Sequence, residues 1–461
     1  MSQSISISSE QSVSATFWRF AIPSVAAMLV SGLYQVIDGI FVGRYIGTEG
    51  LAGINMSMPI LAIVIGVGLM IGMGGGSLLS MYRGEKNITA SKCSLASALL
   101  LVVLFGVLLS LLLQFSGPTL ITLQGAADET QLMAHQYLRV MSAGAVVSIA
   151  ASALPLLLRN DDKPNLATLF IVLGALLNIV LDYVFLAHWS LGLRGAAIAT
   201  LIAQATTSLC CVYYFFSARA NTPLKGSRFE YASAVRMLQL GSSSLIMFAY
   251  FGFVMALHNK LFMTYGSATH LAAFAIVGYL ASIYYFFAEG LATGLQPPVS
   301  YYLGAKQVHK IGQTVKLAFT VTVGSGVAMV ALLNLFPDWF ICLFMSDDEA
   351  LLQASRTGLR WHLAGIFLDG FLFISSVYFM AVGEAKKALF VSLGNMLIQL
   401  PFLWLLPQFM GIEGIWVSVP LSNLVLAAVV LPMLYLNLRD IKAKAEVWVP
   451  ISSAPEVTRV T

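Results

Sequence analysis

Hydrophobic positions along this chain fall into long continuous runs. They do not alternate and do not repeat as heptads. Short charged or Gly/Pro clusters separate twelve such runs, at about 17–42, 52–81, 93–115, 136–158, 166–187, 194–217, 237–265, 271–302, 313–336, 358–381, 388–410 and 412–437. Each is about 20 residues or longer, enough to cross a hydrocarbon core of about 30 Å at about 1.5 Å rise per residue. In lipid, backbone polar groups must be satisfied within the segment, so the runs predict helices. A transmembrane barrel would show shorter, alternating segments. The fold class expected is an all-α polytopic membrane protein.

The basic residues set its orientation. With twelve spans, the N-terminus, the gaps after even-numbered spans and the C-terminus share one side. That side holds 19 of the 25 Lys and Arg residues; the other holds Arg44, Arg139, Arg194, Lys260, Arg356 and Arg360. Positive charge stays inside, so both termini are expected to be cytoplasmic. Composition agrees, with 58% hydrophobic and 10% charged residues, against roughly 25% charged in soluble domains. A soluble enzyme and a disordered chain are excluded. The four cysteines and six histidines lack ligand spacing, so no metal site and no disulfide framework are expected. No motif offers a nucleophile or a nucleotide loop, and nothing points to nucleic acid.

The chain also repeats itself at an offset of 220 residues. Gly74/Gly294, Ser80/Ser300, Tyr82/Tyr302, Gly84/Gly304 and Lys86/Lys306 match, and Asp128-Glu129 falls on Asp348-Glu349. Six spans separate the copies, an even number, so the halves are parallel repeats about an axis along the membrane normal. The expected organisation is a disordered tail over 1–15, a six-helix lobe over 16–217 and a cytoplasmic linker over 218–236. A second six-helix lobe over 237–440 and a tail over 441–461 complete it. Two such lobes form a V around a central cavity and suit alternating access. A channel would carry a re-entrant filter, which the sequence lacks.

Four acids lie inside predicted spans: Asp38, Asp182, Glu289 and Asp369. Acids at membrane depth are costly and are functional by default. Asp38 lies six residues before Arg44 on an outward-running span, and Asp182 six residues before His188 on another. Both therefore stand about 9 Å from the far end of the bundle. Asn178 shares the face of Asp182, while Tyr34 and Gln35 share that of Asp38. Thr200, six residues into its span, reaches the same level. The predicted coupling site is Asp38, Asp182, Asn178 and Thr200, with Glu289, Asp369, Tyr34 and Gln35 as secondary polar candidates. A buried carboxylate favours its neutral form, and a second one beside it does so further. The pair suits a proton relay, and with amide and hydroxyl oxygens it equally suits Na⁺. Span 7 contains no acid, so a two-carboxylate cation site between spans 7 and 10 is not expected. Pro23, fifteen residues before Asp38, marks a kink or hinge. Met28, Met56, Tyr250, Met255 and Phe287 are candidate cavity residues, since aromatic faces attract cations and Met surfaces adapt to shape. No Lys or Arg is expected deep in a span except Lys260, itself near a span end.

These features resemble the multidrug and toxic compound extrusion (MATE) transporters over about residues 15–440. The resemblance rests on A-I-P-S at 21–24, V-I-D-G-I-F-V-G at 36–43, G-M-G-G-G-S-L-L-S at 72–80, R-G-E-K-N at 83–87 and G-L-Q-P-P-V-S-Y-Y-L-G-A-K at 294–306. N-x-x-x-D at 178–182 and G-x-x-G-A-A-x-A-T at 192–200 complete it. It is most similar to the DinF-type branch, with its Asp on span 1, its Asn and Asp on span 5 and its Thr on span 6. The resemblance implies a drug/proton antiporter of the bacterial inner membrane, monomeric and without a cofactor beyond its coupling ion, H⁺ or alternatively Na⁺. It implies that protonation of Asp38 bends the helix at Pro23. The NorM-type branch uses an acid on span 7, which this chain lacks. A lipid-linked flippase of the same superfamily is the alternative. It needs a basic cavity, whereas the intramembrane charges here are acidic.

Overall fold

Runs of twenty apolar residues leave the backbone no partner but itself, and in the computed structural model they are helical. The structure describes residues 12–124, 128–344 and 348–446. The first lobe holds α1 (Val13–Tyr45), α2 (Thr48–Gly84), α3 (Ile88–Leu123), α4 (Asp128–Ala143), α5 (Ala145–Asn160), α6 (Pro164–Asp182) and α7 (Gly192–Phe216). A π-helical segment, Tyr183–His188, follows α6 directly. The second lobe holds α8 (Tyr231–Tyr265), α9 (Ala268–Gly304), α10 (Val308–Leu335), the short α11 (Pro337–Ile341), α12 (Glu349–His362), α13 (Ile366–Ala381), α14 (Ala385–Met410) and α15 (Ile412–Glu446). Among the described residues, eleven helical segments are long and apolar enough to cross a membrane. The twelfth span is α4 and α5, bent by 61° at Gly144.

The repeat is visible in the backbone. Helices α2 and α9 are each 37 residues long and occupy positions 220 apart. The turns that follow place Lys86 (φ 59°) and Lys306 (φ 60°) in the same left-handed conformation. The span broken at Gly144 has its counterpart at Gly365, where a 3-10 turn joins α12 to α13. Both broken spans begin earlier than the apolar runs suggest, at 128 and 349 rather than 136 and 358. Their first halves are amphipathic, so a continuous apolar run does not register them.

The lobes meet crosswise, α1 against α9 and α2 against α8. Backbone touches backbone there because glycine removes the side chain. A Cβ on Gly84 would lie 2.2 Å from the Tyr301 carbonyl oxygen, and one on Gly304 would lie 1.9 Å from that of Met81. Residues 81 and 301, like 84 and 304, are repeat equivalents, so the pseudo-two-fold axis passes through this crossing. Higher up, a Cβ on Gly241 would lie 1.8 Å from the Met70 carbonyl, and one on Gly294 2.7 Å from the Ala21 Cα. These approaches lie in the halves of α2 and α9 that lead to the linker. The hydrogen bonds between lobes cluster there as well: Asn160 Nδ2 to Gln296 Oε1 (3.0 Å), Gln296 Nε2 to Ser77 Oγ (2.8 Å) and Arg159 Nη1 to Thr293 Oγ1 (3.2 Å). The linker end of the bundle is thus closed by direct packing.

The linker is shorter than composition suggests, because Tyr231–Arg236 already belong to α8. It lies bound to the first lobe. Asp161, fully buried in the α5–α6 turn, accepts from Tyr214 Oη (2.7 Å) and from the Asn221 backbone N–H (2.9 Å). Asn221 Nδ2 donates to the Asp161 carbonyl (2.6 Å), and Ser97 Oγ accepts from the Glu230 N–H (3.0 Å). Asp161→Ala should remove about 2–3 kcal/mol, the worth of hydrogen bonds to a charged acceptor plus the groups left unpaired. The expected result is a thermal midpoint in detergent lowered by a few degrees, with faster tryptic cleavage at Arg219 and Lys225. An unchanged midpoint and unchanged cleavage would show that Asp161 does not hold the linker.

At the chain ends two boundaries differ from the apolar reading. Helix α1 begins at Val13, capped by Ser12 Oγ on the Ala15 N–H (3.2 Å), and α15 runs on to Glu446. The rest of both expected tails, to residue 11 and from 447, lies outside the described residues.

Candidate functional site

An isolated carboxylate in an apolar helix must be met by another polar group or by a space that admits one. In the first lobe the structure brings two such carboxylates together. Asp38 on α1 and Asp182 at the end of α6 meet side chain to side chain. Asp182 is fully buried and Asn178, one turn before it, is 2% exposed. Asp38 Oδ1, both Asp182 carboxylate oxygens and both polar atoms of the Asn178 amide are buried without a hydrogen-bond partner. Carboxylates only accept, so two of them in contact are held together only by a proton or a cation between them.

The site has walls that the sequence reading placed and one that it missed. Tyr34 stands beside both acids, with Gln35 next to its hydroxyl. Tyr137 on α4, 3% exposed, stands near Asp38, Asp182 and Tyr34. It lies where the run of span 4 begins, beside Gln136 and Arg139, and reads there as the edge of a helix. The signal that finds it is the buried i, i+3/i+4 series Ala134, Tyr137, Leu138 and Met141. Thr200 is half-buried and donates to the Ala196 carbonyl of its own helix (3.0 Å), and no hydrogen bond between it and either acid occurs among the described residues. Immediately after Asp182 the helix widens into the π segment. Such insertions are frequent at functional sites because they re-aim a side chain at the cost of regular hydrogen bonding.

Pro23 lies inside an unbroken α1, and Thr168 Oγ1 of α6 donates to its carbonyl (2.7 Å). The proline is thereby tied to the helix that carries Asp182. Below it, Arg19 Nη2 pairs with Asp162 Oδ1 at 2.8 Å, joining α1 to the α5–α6 turn.

The second lobe builds a different site. Asp369 on α13 accepts from Asn423 Nδ2 on α15 (2.6 Å) and from Tyr285 Oη on α9 (3.3 Å). Tyr250 on α8 stands near Asp369, and Gln399 Nε2 of α14 donates to the Tyr250 hydroxyl. Where span 7 lacks an acid, a phenol takes the place. The repeat does not extend to these groups, since the equivalent of Asp38 is His258, whose Nδ1 donates to the Val254 carbonyl (2.9 Å). Of the remaining cavity candidates, Met56 and Phe287 pack against the main hydrophobic core, Met28 is half-buried and Met255 is 45% exposed.

Glu289 and its surroundings correct one expectation. Arg159 reads as a loop charge, yet it closes α5, is 1% exposed and reaches across the lobe boundary to Thr293, one turn after Glu289 on α9. Its helix ends inside the closed contact between lobes, a fact of assembly that hydropathy does not carry. Among the described residues, no group of three or more His, Cys, Asp or Glu could hold a metal ion.

Relatives share this architecture. A multidrug export protein, MepA, from Staphylococcus saprophyticus is 24% identical over 433 residues, covering 94% of this chain and 95% of its own. An outward-facing multidrug resistance MATE transporter of the MOP superfamily superposes with a TM-score of 0.88 at 25% identity, covering 94% of this chain and 97% of that one. A MOP superfamily transporter from Pyrococcus furiosus, described as having a binding pocket of reverse polarity, matches with the same TM-score, identity and coverage. The MatE family model matches residues 23–184 and 240–405, one segment in each lobe. With both lobes matched and the repeat evident in their backbone, the chain belongs to the MatE family of polytopic membrane transporters.

Proposed function

We propose that this protein is a secondary active multidrug exporter. It antiports amphipathic, often cationic aromatic, drugs against protons by alternating access of its two six-helix lobes. It works as a monomer in the bacterial cytoplasmic membrane, with both termini and the linker on the cytoplasmic side, where 19 of 25 basic residues lie. The closed linker end then makes the described conformation outward-facing. The relatives named as multidrug export proteins support the substrate class.

The observation that carries the coupling is the Asp38–Asp182 contact. A proton between the two carboxyl groups gives a short, charge-assisted O–H···O⁻ bond. Losing that proton leaves two negative charges in contact at low dielectric, which drives them apart. Asp38 and Asp182 sit on α1 and α6, helices tied at Pro23, so the repulsion is delivered to the helix that contains the proline. Pro23 serves as the hinge, and Asn178, with Thr200 at the same level, serves the site as neutral polar groups.

A Na⁺-coupled exporter is the second reading, favoured by the unpartnered Asn178 amide oxygen beside the carboxylates, since hard cations take oxygen ligands. A flippase for lipid-linked phosphates fits less well, because Arg159 is buried between the lobes and bonded to Thr293.

Proteoliposomes loaded with ethidium, with proton and sodium gradients imposed separately, test the reading. Export is expected to follow the proton gradient and to be indifferent to Na⁺. Dependence on Na⁺ with no response to the proton gradient would replace H⁺ with Na⁺. Absence of movement under either gradient would overturn the exporter.

A further inference from the structure

Hydroxyls in the long helices of this chain commonly bond their own backbone. Thr200, Thr206, Thr264, Thr314 and Thr320 each donate to the carbonyl four residues earlier. That is the local option open to any hydroxyl on an apolar helix. Thr168 on α6 departs from it. Its Oγ1 reaches across to α1 and donates to the Pro23 carbonyl at 2.7 Å. Proline brings no N–H to its helix, so α1 is less firmly held at this point than elsewhere.

The bond sits in a ladder of contacts between α1 and α6. Arg19 meets Asp162 in the turn before α6, Pro23 meets Thr168, Asp38 meets Asp182, and the rings of Phe41 and Tyr183 lie edge to face at 6.5 Å. The order rises on both sides, so the two helices run parallel. Asp38 follows Pro23 by fifteen residues, and Asp182 follows Thr168 by fourteen. From a shared starting point the two climbs therefore differ by about 1.5 Å, and they end where the carboxyl groups meet. A slip of one residue between the helices would displace one carboxyl group from the other by about 1.5 Å more.

The second lobe grips the same stretch of α1 from the other direction. A Cβ on Gly290 of α9 would lie 2.5 Å from the Val25 Cα, and one on Gly294 would lie 2.7 Å from the Ala21 Cα. Pro23 lies between these two approaches. When the lobes part at the linker end, α9 draws away from α1, and the Thr168 bond is what remains on the side of the first lobe.

We propose that Thr168 is a positioning residue for the coupling pair: its hydroxyl fixes the register of α1 on α6 and keeps α1 with the first lobe as α9 withdraws. Asp38 thereby stays opposite Asp182 while the lobes move. This rests on the coupling reading and adds to it the residue that aligns the pair. Thr168 itself touches neither acid and acts through α1.

Nitroxide labels at Ile40 and Val180, 62% and 58% exposed, read the register in full-length protein in nanodiscs. Thr168→Val keeps the side-chain shape and removes the hydroxyl; Thr168→Ser keeps the hydroxyl and guards against a folding defect. Thr168→Val is expected to widen the distribution of label distances by about 1.5 Å or more, one residue's rise, whereas Thr168→Ser should match wild type. Ethidium transport should follow. Its half-maximal pH in Thr168→Val should move by about half a unit toward acid, because carboxyl groups less closely aligned share a proton less tightly. The other titratable groups beside the pair, Tyr34 on α1 and Tyr137 on α4, are the same in every variant. An unchanged distribution in Thr168→Val, or a widening that Thr168→Ser shows equally, would overturn the register role. A widening confined to Thr168→Val with an unmoved pH profile would uphold the register and overturn coupling at the pair.

Discussion

Asp38→Asn is expected to reduce the drug resistance conferred on a sensitive host to the level of the empty host, while the protein reaches the membrane in normal amount. The amide keeps the size of the carboxyl group and can donate to Asp182, so it imitates the proton-sharing pair permanently. The Asp38–Asp182 contact then persists at every pH, and α1 receives no signal to move. Asp182→Asn should do the same from the other side, since either amide removes the second charge on which the repulsion depends. Because each substitution satisfies rather than orphans its neighbour, stability should be kept, which sets a lost function apart from a lost fold. Resistance assays with an immunoblot of the membrane fraction decide it. Full resistance in Asp38→Asn would remove the pair from the mechanism.

The second large effect is expected at the crossing of α2 and α9. A Cβ on Gly304 would lie 1.9 Å from the Met81 carbonyl oxygen, far inside contact distance. The obstacle is backbone, which cannot turn away as a side chain can. Gly304→Val should therefore oppose closure of the linker end by about 3 kcal/mol, a shift of roughly a hundredfold in the balance of conformers. Spin labels on the two lobes at that end should report longer distances, and transport should fall with them. Its repeat equivalent Gly84, whose Cβ would lie 2.2 Å from the Tyr301 carbonyl, should behave alike, whereas Gly312→Ala should be neutral because nothing lies within 4 Å of that position. Unchanged distances in Gly304→Val would mean that the crossing does not limit closure.

Much of this architecture can be read from the chain, and the reasons are particular. Asp38 and Asp182 are single charges inside apolar runs, and a helix rises by a fixed amount per residue, so counting from Arg44 and from His188 puts them at one level. The repeat aligns Gly84 with Gly304, and both prove to be where backbone meets backbone. Tyr137 and Arg159 escape the same reading for a common reason. Each lies next to polar residues at the end of a run, and each is buried only because other helices pack over it. Thr200 counts to the level of the acids along the chain, but counting does not fix direction, and its hydroxyl turns to its own helix. The bend at Gly144 and the π segment after Asp182 are likewise outcomes of packing. The partners of Asp369, Asn423 and Tyr285, come from different helices and have no sequence spacing to betray them.

Antiport coupled at the Asp38–Asp182 pair requires that substrate and a proton on that pair exclude one another. Its most direct test is proton release on drug binding, read with a pH indicator in lightly buffered, purified transporter. On this account ethidium releases close to one proton per wild-type molecule and none from Asp38→Asn. No release from wild type, or equal release from the variant, would contradict it.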